Sequence, residues 1–209
     1  MSRSIRTVFW DIGGVILTNG WGLTQRTKVL GRLGVDLEAF EEVHDRTNYY
    51  WERGLITAKD YVMQTVLRTN PKLNLTFDQV WPQMCAASKV LHPECLDILA
   101  ELKEQRKFRL APLNNESREL NEHRLNAFKL RSLFDYFICS GYVHEMKPAA
   151  TIYKSAIDIS GFEAEKALFI DDKAENCTAA AALGMETILF ESPLQLRGAL
   201  SEYGIQLQQ

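Results

Sequence analysis

Five short apolar runs, separated by longer stretches of different periodicity, constrain this chain more than any other feature. They are Thr7–Ile12, Phe108–Leu113, Tyr136–Ser140, Ala167–Asp171 and Glu186–Phe190. Each is apolar on consecutive positions instead of alternating, as expected of strands covered on both faces. Between the later runs the period becomes helical. In Cys95–Lys107, Leu96, Leu99 and Leu102 form one stripe with Ile98 beside it. In Ala149–Ser160, Ile152, Tyr153, Ala156 and Ile157 recur at helical spacing just after Pro148, and the alanine-rich Ala174–Leu183 stops at Gly184. Strand and helix in alternation predict an α/β fold with a mainly parallel, Rossmann-like sheet and right-handed crossovers.

The interval after the first run breaks that alternation. "LTQRTKVLGRLG", "LEAFEEVHDRTNYYWERG" and "TAKDYVMQTVLRTNP" all read as helices, the last with Thr57 as its N-cap, and "TFDQVWPQMCAAS" reads as a fourth, broken by Pro82. The predicted organisation is therefore a core of residues 1–17 and 93–209 with a helical cap domain, 18–92, inserted between the first two strands.

Composition narrows the function classes. The 209 residues are 46% hydrophobic, and 24 Lys+Arg against 27 Asp+Glu leave a formal charge of −3. No basic surplus points to nucleic acid or to an anionic membrane, so neither is an expected partner. No apolar stretch reaches the length of a membrane span, and Asp11 interrupts the N-terminal apolar run, against a signal peptide. Cys85, Cys95, Cys139 and Cys177 are far apart and form no C-x-x-C pair; they read as reduced thiols, and the expected setting is the cytoplasm.

In an open parallel sheet, ligands bind beyond the carboxyl ends of the strands. The first run ends at Asp11, the second leads into Asn114 and Asn115, the fourth into Asp171 and Asp172, and "HEMKPAATIY" places Lys147 before a helix start. Three carboxylates, two amides and an ammonium group are thereby aimed at one crevice. Such a set suits a divalent cation of the magnesium type, which takes oxygen ligands, together with an anionic substrate. A carboxylate attacks a phosphate dianion only where nearby positive charge offsets the repulsion, and a cation on Asp11 and Asp172 with Lys147 opposite supplies it.

"FWDIGGVIL", "LAPLNNES", "MKPAATIY" and "FIDDKAENCTAAAALGM" resemble the four ordered motifs of the haloacid dehalogenase-like (HAD) hydrolase superfamily, and the helical insert falls where members with a small α-helical cap carry theirs. The resemblance implies Asp11 as a nucleophile forming an aspartyl intermediate, Asn114 in the place usually held by serine or threonine, Lys147 steadying nucleophile and phosphate, and Asp172 as the acidic magnesium ligand. It also implies the backbone carbonyl of Gly13 as a further metal ligand. Catalysis is thus expected at Asp11, Lys147 and Asn114, substrate binding at Asn114, Asn115 and Lys147, and Mg2+ at Asp11, Gly13 and Asp172. Most members are phosphatases, so the expected substrate is a small phosphorylated metabolite.

The first motif departs from the family's D-x-D-x-[TV]. Gly13 replaces the second aspartate, the general acid and base, whose contribution is typically about 10²–10⁴-fold. Either the substrate has a good leaving group, or another residue such as Asp171 or Glu52 stands in, or turnover is slow. The Gly13-Gly14 pair also suits a tight turn with unusual backbone angles. Asn114 can still donate to a phosphoryl oxygen. Asn176 stands where a second acid is frequent and offers an amide oxygen to a bound water. With less negative charge than usual, the site is expected to hold magnesium more weakly.

Two other readings are open on the same residues: a metal-independent 2-haloacid dehalogenase, which the Asp171-Asp172 pair opposes, and a non-catalytic binding protein on this fold. Tyr49, Tyr50, Trp51, Glu52 and Arg53, flanked by Trp21 and Trp81, form either a wall over the site or, for most of the rings, the insert's own core. His44, His92, His123 and His144 show no ligand spacing.

Overall fold

A computed structural model describes residues 4–208. Five parallel strands, β1 (Thr7–Trp10), β2 (Arg109–Asn114), β3 (Ile138–Cys139), β4 (Ala167–Asp171) and β5 (Glu186–Leu189), lie in the order β3-β2-β1-β4-β5. Side chains alternate across a strand, so consecutive apolar residues supply both faces at once. Val8 and Trp10 of β1, Leu110 of β2 and Leu168 and Ile170 of β4 meet one cluster, while Phe9, Ala111, Leu113 and Phe169 meet the other. Helices α5 (Pro93–Gln105) and α10 (Pro193–Glu202) cover the first face with Leu99, Leu102, Leu196 and Leu200. Helices α8 (Ala150–Ser160) and α9 (Ala174–Ala181) cover the second with Ile152, Tyr153, Ala156 and Ala180. The α/β, doubly covered parallel sheet expected from the sequence is what forms.

Between β1 and β2 run α1 (Leu23–Arg32), α2 (Leu37–Glu52), α3 (Ala58–Val62) and α4 (Phe77–Ala86), whose inward faces share a separate cluster including Leu30, Phe40, Trp51, Tyr61, Val66 and Met84. The fully buried Trp51 ring stacks on Tyr61 at 4.1 Å. Thr57 caps α3 as expected, in a capping box with Asp60. Pro82 does not break α4. The carbonyl four residues back that it leaves unpaired belongs to exposed Asp78, where water can take it.

The third strand is two residues long against five expected. At Ser140 the chain leaves the sheet into α7 (Ser140–Val143), because the Ser140 hydroxyl is taken up by Glu116 N–H (2.9 Å) and the Glu52 carbonyl (2.6 Å). Tyr136 instead turns its hydroxyl to Thr7 Oγ1 at 2.9 Å. Among the described residues no helix is long and apolar enough to cross a membrane. The four cysteines are buried free thiols.

Candidate active site

Three of the expected residues meet at the carboxyl edge of the sheet. Asp11 directly follows β1, and its N–H still pairs with Ile170 O at 2.9 Å, holding it in sheet register. Asp171 closes β4 and is wholly buried. Lys147 lies in the loop before α8, where its backbone is clamped from both sides by one amide: Lys147 N–H donates to Asn115 Oδ1 and Asn115 Nδ2 to Lys147 O, each at 2.8 Å. The clamp points the ammonium between two carboxylates, 3.0 Å from Asp11 Oδ1 and 2.6 Å from Asp171 Oδ2. Burial alone disfavours a charged lysine, but Asp11 and Asp171 outweigh it and hold the Lys147 pKa above the ordinary value. Burial pushes the Asp11 carboxyl up to about 6 against the pull of Lys147, and Asp171 and Asp172 add repulsion.

The two glycines after Asp11 do different work. Gly14 has φ +83°, and a Cβ there would fall 2.2 Å from Asp172 Oδ2, so only glycine lets the turn approach that carboxylate. Gly13 has no such conformational need; a Cβ there would meet Asn19 Oδ1 at 3.0 Å, a tight but displaceable contact. The turn is closed by Gly14 N–H to Leu17 O at 2.8 Å and Leu17 N–H to Ile12 O at 2.8 Å, a pattern that leaves the Gly13 carbonyl out.

Carboxylate oxygens of Asp11, Asp171 and Asp172 lie within 4.8 Å of one another. Asp171 is spoken for: Lys147, Lys173 N–H (2.8 Å) and Asn176 Nδ2 (3.0 and 3.1 Å) occupy both of its oxygens. Asp172 is not, since its Oδ1 is buried without a hydrogen-bond partner. An unpaired buried carboxylate oxygen is costly unless a cation completes it. Burial, then Asp171, raises the Asp172 pKa. Hard oxygen donors from Asp11 and Asp172, one of them otherwise orphaned, fit a magnesium ion.

A cavity of about 360 Å³ opens above these groups, with Asp11, Asn115, Glu116, Arg124 and Lys147 on the sheet side. The insert closes it with Trp21, Arg26 and one stripe of α2, His44, Asn48 and Glu52, four residues apart and so on one face. The expected aromatic wall therefore divides. Trp51 is core, Trp21 faces both core and cavity, and Tyr49 and Tyr50 are exposed outside the cavity, so the polar stripe of α2 forms most of the roof. His44 Nδ1 pairs with Tyr61 Oη at 2.7 Å; its nearest acidic neighbours are Glu41, which Arg26 holds at 2.7 and 3.0 Å, and Asp45.

The end of α2 is fixed to the sheet. Ser140 holds the Glu52 carbonyl, Arg53 Nε donates to His144 O at 2.7 Å, His144 Nδ1 returns to Arg53 O at 2.6 Å, and Gly54 packs so closely that a Cβ would stand 2.2 Å from Gly141 O. Burial pushes the Glu52 carboxyl up to about 7, Glu116 adds repulsion, and Asn48 and Lys173 pull the other way.

Asn114 lies apart from this group. It ends β2, but its amide donates to Asn121 Oδ1 at 3.1 Å and it does not line the cavity. Asn115 lines it with both ends of its amide committed to Lys147. Asn176 commits its NH2 to Asp171, leaving its oxygen to offer. Sequence reasoning missed Glu116 and Arg124. They form a buried pair at 2.9 Å, with Arg124 also donating to Thr18 O at 2.6 Å and so tying the start of the insert to α6 (Arg118–Ala127). The available signal was the spacing of Glu116 and Arg124 around the Ser117 cap of α6, which brings an acid before a helix and a base two turns into it to the same side.

The sequence profile of haloacid dehalogenase-like hydrolases matches residues 5–184. A phosphoglycolate phosphatase of Aquifex aeolicus is 24% identical over 190 residues, covering 88% of this chain and 84% of its own. The fold is shared with a HAD family enzyme of Bacteroides thetaiotaomicron solved with magnesium and inorganic phosphate (TM-score 0.74, 21% identity, 90% of this chain and 96% of that one). It is also shared with an L-2-haloacid dehalogenase (TM-score 0.65, 16% identity, 88% and 83%). The profile spans both the Asp11 turn and the Asp171-Asp172 strand end, with the insert between them, and the chain therefore belongs to the haloacid dehalogenase-like hydrolase family.

Proposed function

We propose that this hydrolase is a magnesium-dependent phosphatase of a small phosphorylated metabolite, with Asp11 as nucleophile. The observation that carries the reading is the buried, unpartnered Asp172 Oδ1 in the same cluster as Asp11, a site that suits an oxygen-seeking cation. Asp11, Asp172 and the Gly13 carbonyl would hold the magnesium, which supplies positive charge against that of the phosphate. Lys147 orients one Asp11 oxygen, leaving the other to attack phosphorus, and its charge favours the electron-rich transition state. Asn115 acts through the Lys147 backbone, and Asn114 supports the strand end from behind. Residues 18–92 serve as the cap: the α2 stripe covers the cavity, limits water and presents polar groups, which favours a small hydrophilic substrate. The Aquifex relative, a phosphoglycolate phosphatase, supports this substrate class.

Dehalogenases share the fold, and Gly13 suits them because no second acid crowds Asp11. The unpartnered Asp172 Oδ1 weighs against that chemistry, which has no use for a cation. A panel of phosphate monoesters and 2-haloacids, with and without magnesium, on the natural protein and on Asp11→Asn, separates the readings. Magnesium-dependent phosphate release lost in Asp11→Asn is expected. Metal-independent halide release selects the dehalogenase, and binding of phosphate mimics with neither activity selects a non-catalytic protein.

A further inference from the structure

We propose that Glu52, supplied by the insert, carries the proton in both half-reactions in place of the acid that position 13 lacks. The assignment rests on the phosphatase reading above.

The cavity offers few groups able to do this. Glu116 is held by Arg124 at 2.9 Å and by Ser117 N–H at 2.9 Å, so both of its oxygens are occupied. Asp171 is saturated by Lys147, Lys173 N–H and Asn176 and does not line the cavity. Lys147 is fixed between two carboxylates. Lys173 is exposed on the rim, with its backbone N–H committed to Asp171. His44 is buried with Nδ1 on Tyr61 and its ring against Phe40; burial, then Arg26, lowers its pKa and keeps it neutral.

Glu52 is different on each count. The residue lines the cavity, its backbone is anchored by Ser140, and its side-chain partner is Asn48, one turn back on the same stripe. Desolvation, then the Glu116 charge, leaves it poised near neutral pH, where a group can both give and take a proton. In the first half-reaction an Asp11 oxygen bonds to phosphorus, the phosphorus–ester oxygen bond breaks, and neutral Glu52 gives its proton to the departing oxygen. In the second, the Glu52 carboxylate takes a proton from water as the water oxygen attacks phosphorus. The bond to Asp11 then breaks, and phosphate leaves with Asp11 and protonated Glu52 restored.

The test compares β-glycerophosphate, whose alkoxide leaving group needs a proton, with 4-nitrophenyl phosphate, whose leaving group does not, both with magnesium. Glu52→Gln is expected to lose about 10²–10⁴-fold on β-glycerophosphate. On 4-nitrophenyl phosphate it should release about one equivalent of nitrophenolate per site in a burst, then turn over slowly with phosphate trapped on Asp11. That burst also shows that the variant is folded. Should Glu52→Gln misfold, Asn48→Ala reads the same role. Removing a hydrogen bond that favours the charged carboxylate should move the pH profile of kcat/KM toward higher pH. Equal losses on both substrates without a burst, an unmoved profile in Asn48→Ala, or a burst from His44→Gln instead would overturn the assignment. If the natural protein hydrolyses neither ester with magnesium, the phosphatase reading itself falls and takes Glu52 with it.

Discussion

Lys147 Nζ stands 2.6 Å from Asp171 Oδ2 in a fully buried pair, although the carboxylate placed for chemistry, Asp11, is its longer contact at 3.0 Å. The tighter contact is the one with the residue that has no free lone pair for a ligand, so Asp171 sets where the ammonium sits and Asp11 profits from it. Asp171→Ala is expected to destabilise the fold by about 3–5 kcal/mol, since a buried ammonium then keeps only one partner. It should also lower turnover at saturating substrate with a smaller effect on KM. Urea unfolding and steady-state kinetics on the same preparation check both.

Gly14 and Asp172 give a second expectation. Because a Cβ at position 14 would overlap Asp172 Oδ2 and the backbone is left-handed there, Gly14→Ala must move the carboxylate or distort the turn, a strain of about 1–3 kcal/mol. The natural protein should gain thermal stability with added magnesium, and both Gly14→Ala and Asp172→Asn should gain little. Two carboxylates and an amide at Asn176 make a weak site, so the midpoint of the magnesium response should lie above the low micromolar range. A melting-temperature titration reads all of this without reference to activity.

The strand ends were legible because a buried strand has a short, apolar signature and a carboxylate that ends it is conspicuous: Asp11 and the Asp171-Asp172 pair were visible on that ground alone. Lys147 was visible from its place before a proline-initiated helix. What the roles of Asp171 and Asn115 would be was not, because both act through Lys147, 24 and 32 residues away, and no local pattern encodes such a contact. Glu116 and Arg124 were not singled out, because it is the fold that buries them together. The α2 stripe was obscured by its neighbours, since Tyr49, Tyr50 and Trp51 are the louder signal but point elsewhere. Pro82 misled in the opposite direction, as an exposed helix start tolerates the lost hydrogen bond.

The contact of Gly54 with Gly141 fixes how the insert meets the sheet. With φ +64° at Gly54 and a Cβ position 2.2 Å from the Gly141 carbonyl, Gly54→Ala cannot be absorbed by a side-chain rotation. The end of α2 must lift, carrying Glu52 with it. Kinetics should show a fall in kcat/KM of at least tenfold while magnesium still raises the melting temperature, because the end of α2 is held by Ser140, Gly141 and His144 and not by Asp11 or Asp172.

Glu52 also makes a prediction about stability. Its folded pKa, about 7, is above the ordinary glutamate value of 4.5, so between those pH values the native state holds a proton that the unfolded chain has released. Stability then falls as pH rises through that window, because unfolding sheds protons there. The contribution is fully present below about pH 4.5 and lost above about pH 7. Glu52→Gln cannot lose a proton and escapes the penalty. Without magnesium it should therefore match the natural protein near pH 4.5 and exceed it at pH 8. Glu52 is partly exposed, and solvent screening of its charge limits the difference to about 1–2 kcal/mol. The Asp11 and Asp172 carboxyls, also raised, titrate in both proteins and cancel in the comparison, whereas relief of the Glu52–Glu116 repulsion adds to the gain of Glu52→Gln in the same direction. Parallel urea titrations of the two proteins across pH 4.5–8 read the difference directly. Curves that stay parallel across the window would place the Glu52 carboxyl in open water and leave the cavity without its proton donor.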